Sequence, residues 1–282
     1  MKQPSLTRNQ LAIPAAVYAI LLVVSYALIY QYEPFGDWNR LILDSITTLA
    51  ALTCAVIASI IVTFYQHGEP PRQIWVYFAL ALWMWTIGEV IWGGYDQFMG
   101  EVPDPTFADA FYFSGFIFFT LALASQYRLV LFNPCRKIFW IAAGMWLATI
   151  AATVLLMVIW KTESFASEFL KFFYPLGDLA IGVAALVLVI TFRRGALARP
   201  WISLLAFVFS DTLYLWATTQ NIYAWQAVGG DIVQQWITLG VELVYLIAYI
   251  IMFWGVFQQY LMLRFGAVVS EPITKPIRSP KS

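Results

Sequence analysis

The chain has 282 residues, of which 61% are hydrophobic and only 11% charged, with a mean hydropathy of +0.74. These values exclude a water-soluble globular fold of this size, which needs more polar surface than these side chains supply. Sixteen basic and sixteen acidic residues cancel. Net charge therefore points neither to nucleic acid nor to an acidic partner, and the expected surrounding is a lipid bilayer.

The first apolar run, 11–31, follows Lys2 and Arg8 as a signal sequence would. It is nevertheless long enough to span and lacks a small-residue cleavage site, so it reads as a retained first helix. Further apolar stretches recur at 41–65, 74–95, 107–127, 138–160, 171–192, 201–220 and 235–260. Pro, Gly and charge mark the loops between them, as in Gly68-Glu69-Pro70-Pro71-Arg72, Glu101-Val102-Pro103-Asp104-Pro105 and Arg193-Arg194-Gly195. The expected fold is all-α: a polytopic transmembrane bundle of about eight helices over residues 1–260, then a short tail, 261–282. Cys54 lies inside an apolar run and Cys135 in a basic loop, so no disulfide is expected.

With the N-terminus in the cytoplasm, most basic residues fall inside and only Arg40, Lys161 and Lys171 outside. Most acids beyond the spans, such as Glu33, Asp37, Glu101, Asp104, Glu163 and Asp231, then fall outside, as the positive-inside rule favours. An even number of spans returns the C-terminus to the cytoplasm. Trp38, Trp92, Tyr95, Tyr174, Tyr223, Trp225 and Trp236 cluster near the outer ends, where interfacial anchors belong. The expected location is a prokaryotic cytoplasmic (inner) membrane.

Six acids lie within or at the edge of the spans: Asp44, Glu89, Asp109, Asp178, Asp211 and Glu242. Topology puts all six in the outer half. A charged acid at a helix centre costs roughly 2.5–3.5 kcal/mol, less toward the interface. No Lys, Arg or His lies deep in a span, so protonation, hydrogen bonding, water or a bound cation must compensate. Four acids carry an aromatic residue three positions on: Glu89 with Trp92, Asp109 with Tyr112, Asp211 with Tyr214 and Glu242 with Tyr245. Tyr174 precedes Asp178 by four. Such spacing places acid and ring on one helix face, and carboxylates beside rings suit a cationic or amine ligand. The candidate ligand-binding set is therefore Glu89, Asp109, Tyr112, Asp178, Asp211, Tyr214, Glu242 and Tyr245. The competing expectation is that Tyr hydroxyls and backbone groups satisfy the acids as interhelical glue.

Acids occur in the second to fourth and again in the sixth to eighth spans, which suggests repeats at 11–127 and 138–260. Asp44-Ser-Ile-Thr-Thr-Leu-Ala-Ala-Leu aligns with Asp178-Leu-Ala-Ile-Gly-Val-Ala-Ala-Leu, and Asp109-Ala-Phe-Tyr with Glu242-Leu-Val-Tyr. Four spans per half give both halves one orientation, related by an axis along the membrane normal.

Pro105-Thr106-Phe107-Ala108-Asp109-Ala110-Phe111-Tyr112, Tyr174-Pro175-Leu176-Gly177-Asp178 and Ser210-Asp211-Thr212-Leu213-Tyr214 resemble motifs of bacterial multi-pass sensory regions that precede diguanylate cyclase or phosphodiesterase domains. The resemblance implies a sensory membrane module. No such output domain follows here before Ser282, so signalling is expected to need a separate partner protein.

The leading expectation is a membrane sensory or ligand-binding protein. A proton- or cation-coupled transporter comes next, because repeats enclosing carboxylates can couple substrate movement to cations. An accessory subunit of a membrane complex is a further alternative. An enzyme ranks below these. Tyr95-Asp96 with Leu176-Gly177-Asp178 resembles the intramembrane aspartyl proteases only faintly, since Pro175 stands where the first glycine of that motif would be and no Pro-Ala-Leu follows. The single histidine, His67, sits in a loop, so a His-based metal site or triad is excluded. No mid-span lysine offers a retinal Schiff base and no glycine loop cradles phosphate. No metal or cofactor is expected.

Overall fold

A computed structural model describes residues 8–99, 105–130, 144, 165–192, 196–220, 222–223 and 231–266. Among these residues the chain forms seven α-helices: α1 (Arg8–Tyr32), α2 (Asn39–Val62), α3 (Pro70–Met99), α4 (Phe107–Val130), α5 (Phe165–Thr191), α6 (Arg199–Thr219) and α7 (Ile232–Phe265). All but α5 are long and apolar enough to cross a membrane, and α5 carries the shorter apolar segment Leu176–Thr191. Helices are the expected outcome, because hydrocarbon offers no partner to a free backbone N–H or C=O. The chain is an integral membrane protein. The expected fifth span, 138–160, lies outside the described residues apart from Gly144, so a total of eight rests on the sequence.

The elements outgrow the apolar runs. The third expected span, 74–95, becomes Pro70–Met99, which brings Asp96 into the helix, where Arg40 of α2 pairs with it at 3.4 Å. Helix α7 is the longest, and its N-terminus is capped by Asp231, whose side chain accepts from the Val233 N–H at 3.2 Å.

Successive described helices alternate in direction, with one exception. Contacts of Asp109 with Tyr174, Phe116 with Gly177 and Tyr127 with Ala184 all advance together along the chain. Helices α4 and α5 are therefore parallel, and α4 ends at the end of the bundle opposite to where α5 begins. Helices α2, α3 and α4 pack in sequence, as do α5, α6 and α7; α2 also packs on α7, and α1 lies against α2 and α7. On α1, Ile13, Val17, Ile20, Leu21, Val24 and Leu28 remain exposed, a face solvated by lipid.

Two packing devices hold the centre. On α2, Ala50, Ala51, Cys54, Ala55 and Ala58 are fully buried, and these small side chains let neighbouring backbones approach. At mid-bundle, rings interlock edge to face: Phe78 on Phe119, Phe119 on Trp85, Trp85 on Phe207 and Phe207 on Tyr249, with centroids 4.8–5.3 Å apart. Each such pair contributes about 0.5–1.5 kcal/mol beyond burial.

Among the described glycines, the closest approach of another element's backbone is at Gly255 of α7, where a Cβ would lie 2.7 Å from the carbonyl oxygen of Arg199. A backbone atom cannot swing aside as a side chain can. Gly255→Ala should therefore destabilise the bundle by about 1–3 kcal/mol. Gly240→Ala, where a Cβ meets nothing within 4 Å, should be neutral or slightly stabilising. Reversible unfolding in mixed micelles measures both.

Candidate functional site

Glu89, on α3, is 8% exposed. Tyr245 and Tyr249, four residues apart on one face of α7, both donate their hydroxyls to Glu89 Oε1, Tyr249 at 2.8 Å. Tyr112 faces the same carboxylate from α4. It comes so close because Gly88 has no side chain: a Cβ there would stand 2.7 Å from the Tyr112 ring. Phe207 of α6 packs on the rings of Tyr245 and Tyr249 and closes the apolar side of the cluster.

Glu242 sits three residues before Tyr245 on the same helix, yet its donors come from elsewhere. Tyr26 of α1 donates to Oε2 at 3.0 Å and Tyr223, from the segment after α6, to Oε1 at 2.5 Å. Burial and the adjacent Glu242 carboxylate push the Tyr223 hydroxyl well above its ordinary pKa, so it remains a donor. Tyr214 rests its ring against Tyr223 at 5.2 Å and is 41% exposed, which places it at the rim.

Asp109 closes a capping box at the start of α4. Its Oδ2 accepts from the Thr106 N–H at 2.6 Å and from the Thr106 hydroxyl at 2.9 Å, while its own N–H points back to Thr106 Oγ1 at 3.3 Å. The other oxygen accepts from the Tyr174 hydroxyl of α5 at 2.6 Å. Both oxygens are thus engaged, and Tyr174 serves Asp109 although Asp178 is only one turn away along its own helix.

The remaining acids are supplied differently. Asp178 of α5 is 4% exposed and its carboxyl group faces that of Asp211 of α6 within hydrogen-bonding range. No N–H or O–H donor reaches Asp178 Oδ2. Ionised carboxylates only accept, so two of them can hydrogen-bond only by holding a proton between them. Asp44 of α2 packs against Gly93 of α3, where a Cβ would lie 3.0 Å from its own, and its buried Oδ2 also has no donor. Asp96, Glu242 and Glu89 lie within electrostatic reach of Asp44, as does the cation of Arg40.

The eight predicted residues are therefore not one pocket but one polar layer at one end of the bundle. Tyr112 lies within electrostatic reach of Glu89, Tyr174 and Asp109, and Tyr245 within reach of Glu89 and Asp211, so these two rings join the Glu89 cluster to the Asp109 and Asp211 groups. The hydrogen bonds run between helices instead of along the i, i+3 pairs read from the sequence. Tyr26, Tyr223 and Tyr249 belong to the layer without having been singled out for it, because no acid lies within four residues of any of them in the chain. Asp44 was excluded for want of an aromatic neighbour on its own helix. The Thr-x-x-Asp of the capping box was readable in advance. Comparison with protein-family models, with curated proteins and with solved structures found no match.

Tyr245→Phe and Tyr249→Phe should each destabilise the protein by about 0.5–2 kcal/mol, the range of interhelical hydrogen bonds within membranes. In a Glu89→Leu background the same changes should cost less than half as much. A double-mutant cycle read by unfolding in mixed micelles measures the coupling.

Proposed function

We propose that this chain is a membrane sensory or ligand-binding protein whose acid-bearing end receives a small amine between two four-helix halves. The observation that carries the reading is the pair of buried acid oxygens left without donors, Asp44 Oδ2 and Asp178 Oδ2. An ammonium brings both N–H donors and positive charge, and the tyrosine rings of the layer attract the same group. Among the described residues no three His, Cys, Asp or Glu side chains converge as metal ligands, which favours an organic amine over a bare metal ion.

The parallel course of α4 and α5 supports eight spans, with α1–α4 as the first four and α5–α7 as the last three. Across the halves, α2 packs on α7 as α4 packs on α5, and α3 meets α6 through the rings of Phe78, Trp85, Trp201 and Phe207. A twofold axis along the membrane normal, passing between α3 and α6, produces this set of neighbours. The same operation relates Asp44 to Asp178, the two acids with an unserved oxygen. With the N-terminus in the cytoplasm, as the Lys and Arg distribution favours, this end faces outward. The interlocked apolar rings at mid-bundle favour a receptor over a carrier.

Benzylamine and benzyl alcohol differ in charge but little in shape. In lipid nanodiscs, benzylamine should raise the melting temperature saturably, by the equivalent of about 2.7 kcal/mol at 100 times Kd, and benzyl alcohol should not. Asp44→Asn and Asp178→Asn should each remove the response. Equal shifts from amine and alcohol, or a full response in both variants, would reject the amine site.

A further inference from the structure

At the end of the bundle opposite the acids, the structure encloses a cavity of about 260 Å³ between the end of α2, the start of α3, the ends of α4 and α5, the start of α6 and the end of α7. Its apolar wall includes the rings of Trp75, Phe78 and Trp201; its polar wall is Tyr65, Gln126 and Gln259. Among the described residues no wall residue carries a charge, so none of them selects the amine proposed for the other end.

Gln259 sets the chemistry. It is 2% exposed, and its side chain lies beside the Tyr65 hydroxyl. Its Oε1 has no hydrogen-bond partner. A buried carbonyl oxygen without a donor is costly, and a bound molecule that brings an O–H or N–H removes the cost. The rings favour an aromatic body, edge-on or offset. A cavity of about 150 Å³ is enough for benzene, so this one accommodates a single substituted ring.

We infer that this cavity is a second binding site, for a neutral single-ring aromatic molecule with a hydrogen-bond donor, a phenol in chemical class, which Gln259 recognises through Oε1. The site is distinct from the acidic layer: the stacked rings from Phe78 to Phe207 lie between them.

The test compares 4-butylphenol with 4-butylanisole, which partitions into lipid as readily but has no O–H, on the full chain in nanodiscs. 4-Butylphenol should raise the melting temperature saturably at concentrations about tenfold below those at which 4-butylanisole acts, the difference expected of one neutral hydrogen bond. Gln259→Leu should abolish that preference. Leu197→Trp, which adds a ring at a partly exposed wall position and leaves Gln259 in place, should abolish the response to both, so the inference stays testable if Gln259→Leu fails to fold. Equal action of phenol and anisole on the wild type, no action of either, a tenfold preference kept by Gln259→Leu, or an unchanged response in Leu197→Trp would each overturn it. The outcome does not depend on whether benzylamine binds at the other end.

Discussion

A carboxyl group taken into an apolar bundle must find a hydrogen-bond donor or a counter-charge, and for three of the six acids in this protein the donor is a tyrosine hydroxyl from another part of the chain. Glu89 is held by Tyr245 and Tyr249, Glu242 by Tyr26 and Tyr223, and Asp109 by Tyr174. Each bond joins an acid to a separate element, or to a segment distant on its own chain. Together they tie α1 to α7, α3 to α7 and α4 to α5. The arrangement works because Tyr offers a long apolar body to the bundle and one donor at its tip. An acid that would be costly alone thereby becomes a cross-link, and the expectation of interhelical glue holds for these three residues.

The exceptions are as informative as the rule. Asp44 and Asp178 each retain an oxygen with no donor, and Asp178 faces a second carboxyl group. Gly93 allows α3 to close over Asp44, and no tyrosine hydroxyl reaches its Oδ2. A sequence selected only for stability would fill such places, as it has done around Glu89. Unserved buried acceptors are what a site for a donor-rich cation requires.

Between the ends, the ring stack divides the molecule chemically. On one side lie carboxyl groups, tyrosine hydroxyls and the Arg40–Asp96 pair; on the other, an uncharged cavity with one buried amide oxygen to satisfy. Interlocked rings have few alternative packings, because each edge-to-face contact constrains the next.

By itself the sequence determined the class of the protein: the bilayer as solvent, helices as the elements, their approximate bounds, and a layer of acids at one depth. All of these follow from hydropathy and from the length needed to cross lipid, which are local properties of the chain. It also contained the capping box of Thr106 and Asp109, since a cap is built from residues three apart. The partner of each acid was decided by the tertiary structure alone. Spacing of three or four residues paired Glu242 with Tyr245, but a side chain on a helix surface turns toward whatever packs against it, and Glu242 found Tyr26, from the far end of the chain. The unserved oxygens of Asp44 and Asp178 and the amide of Gln259 were likewise invisible in sequence, because an absent donor is a property of every neighbouring helix at once.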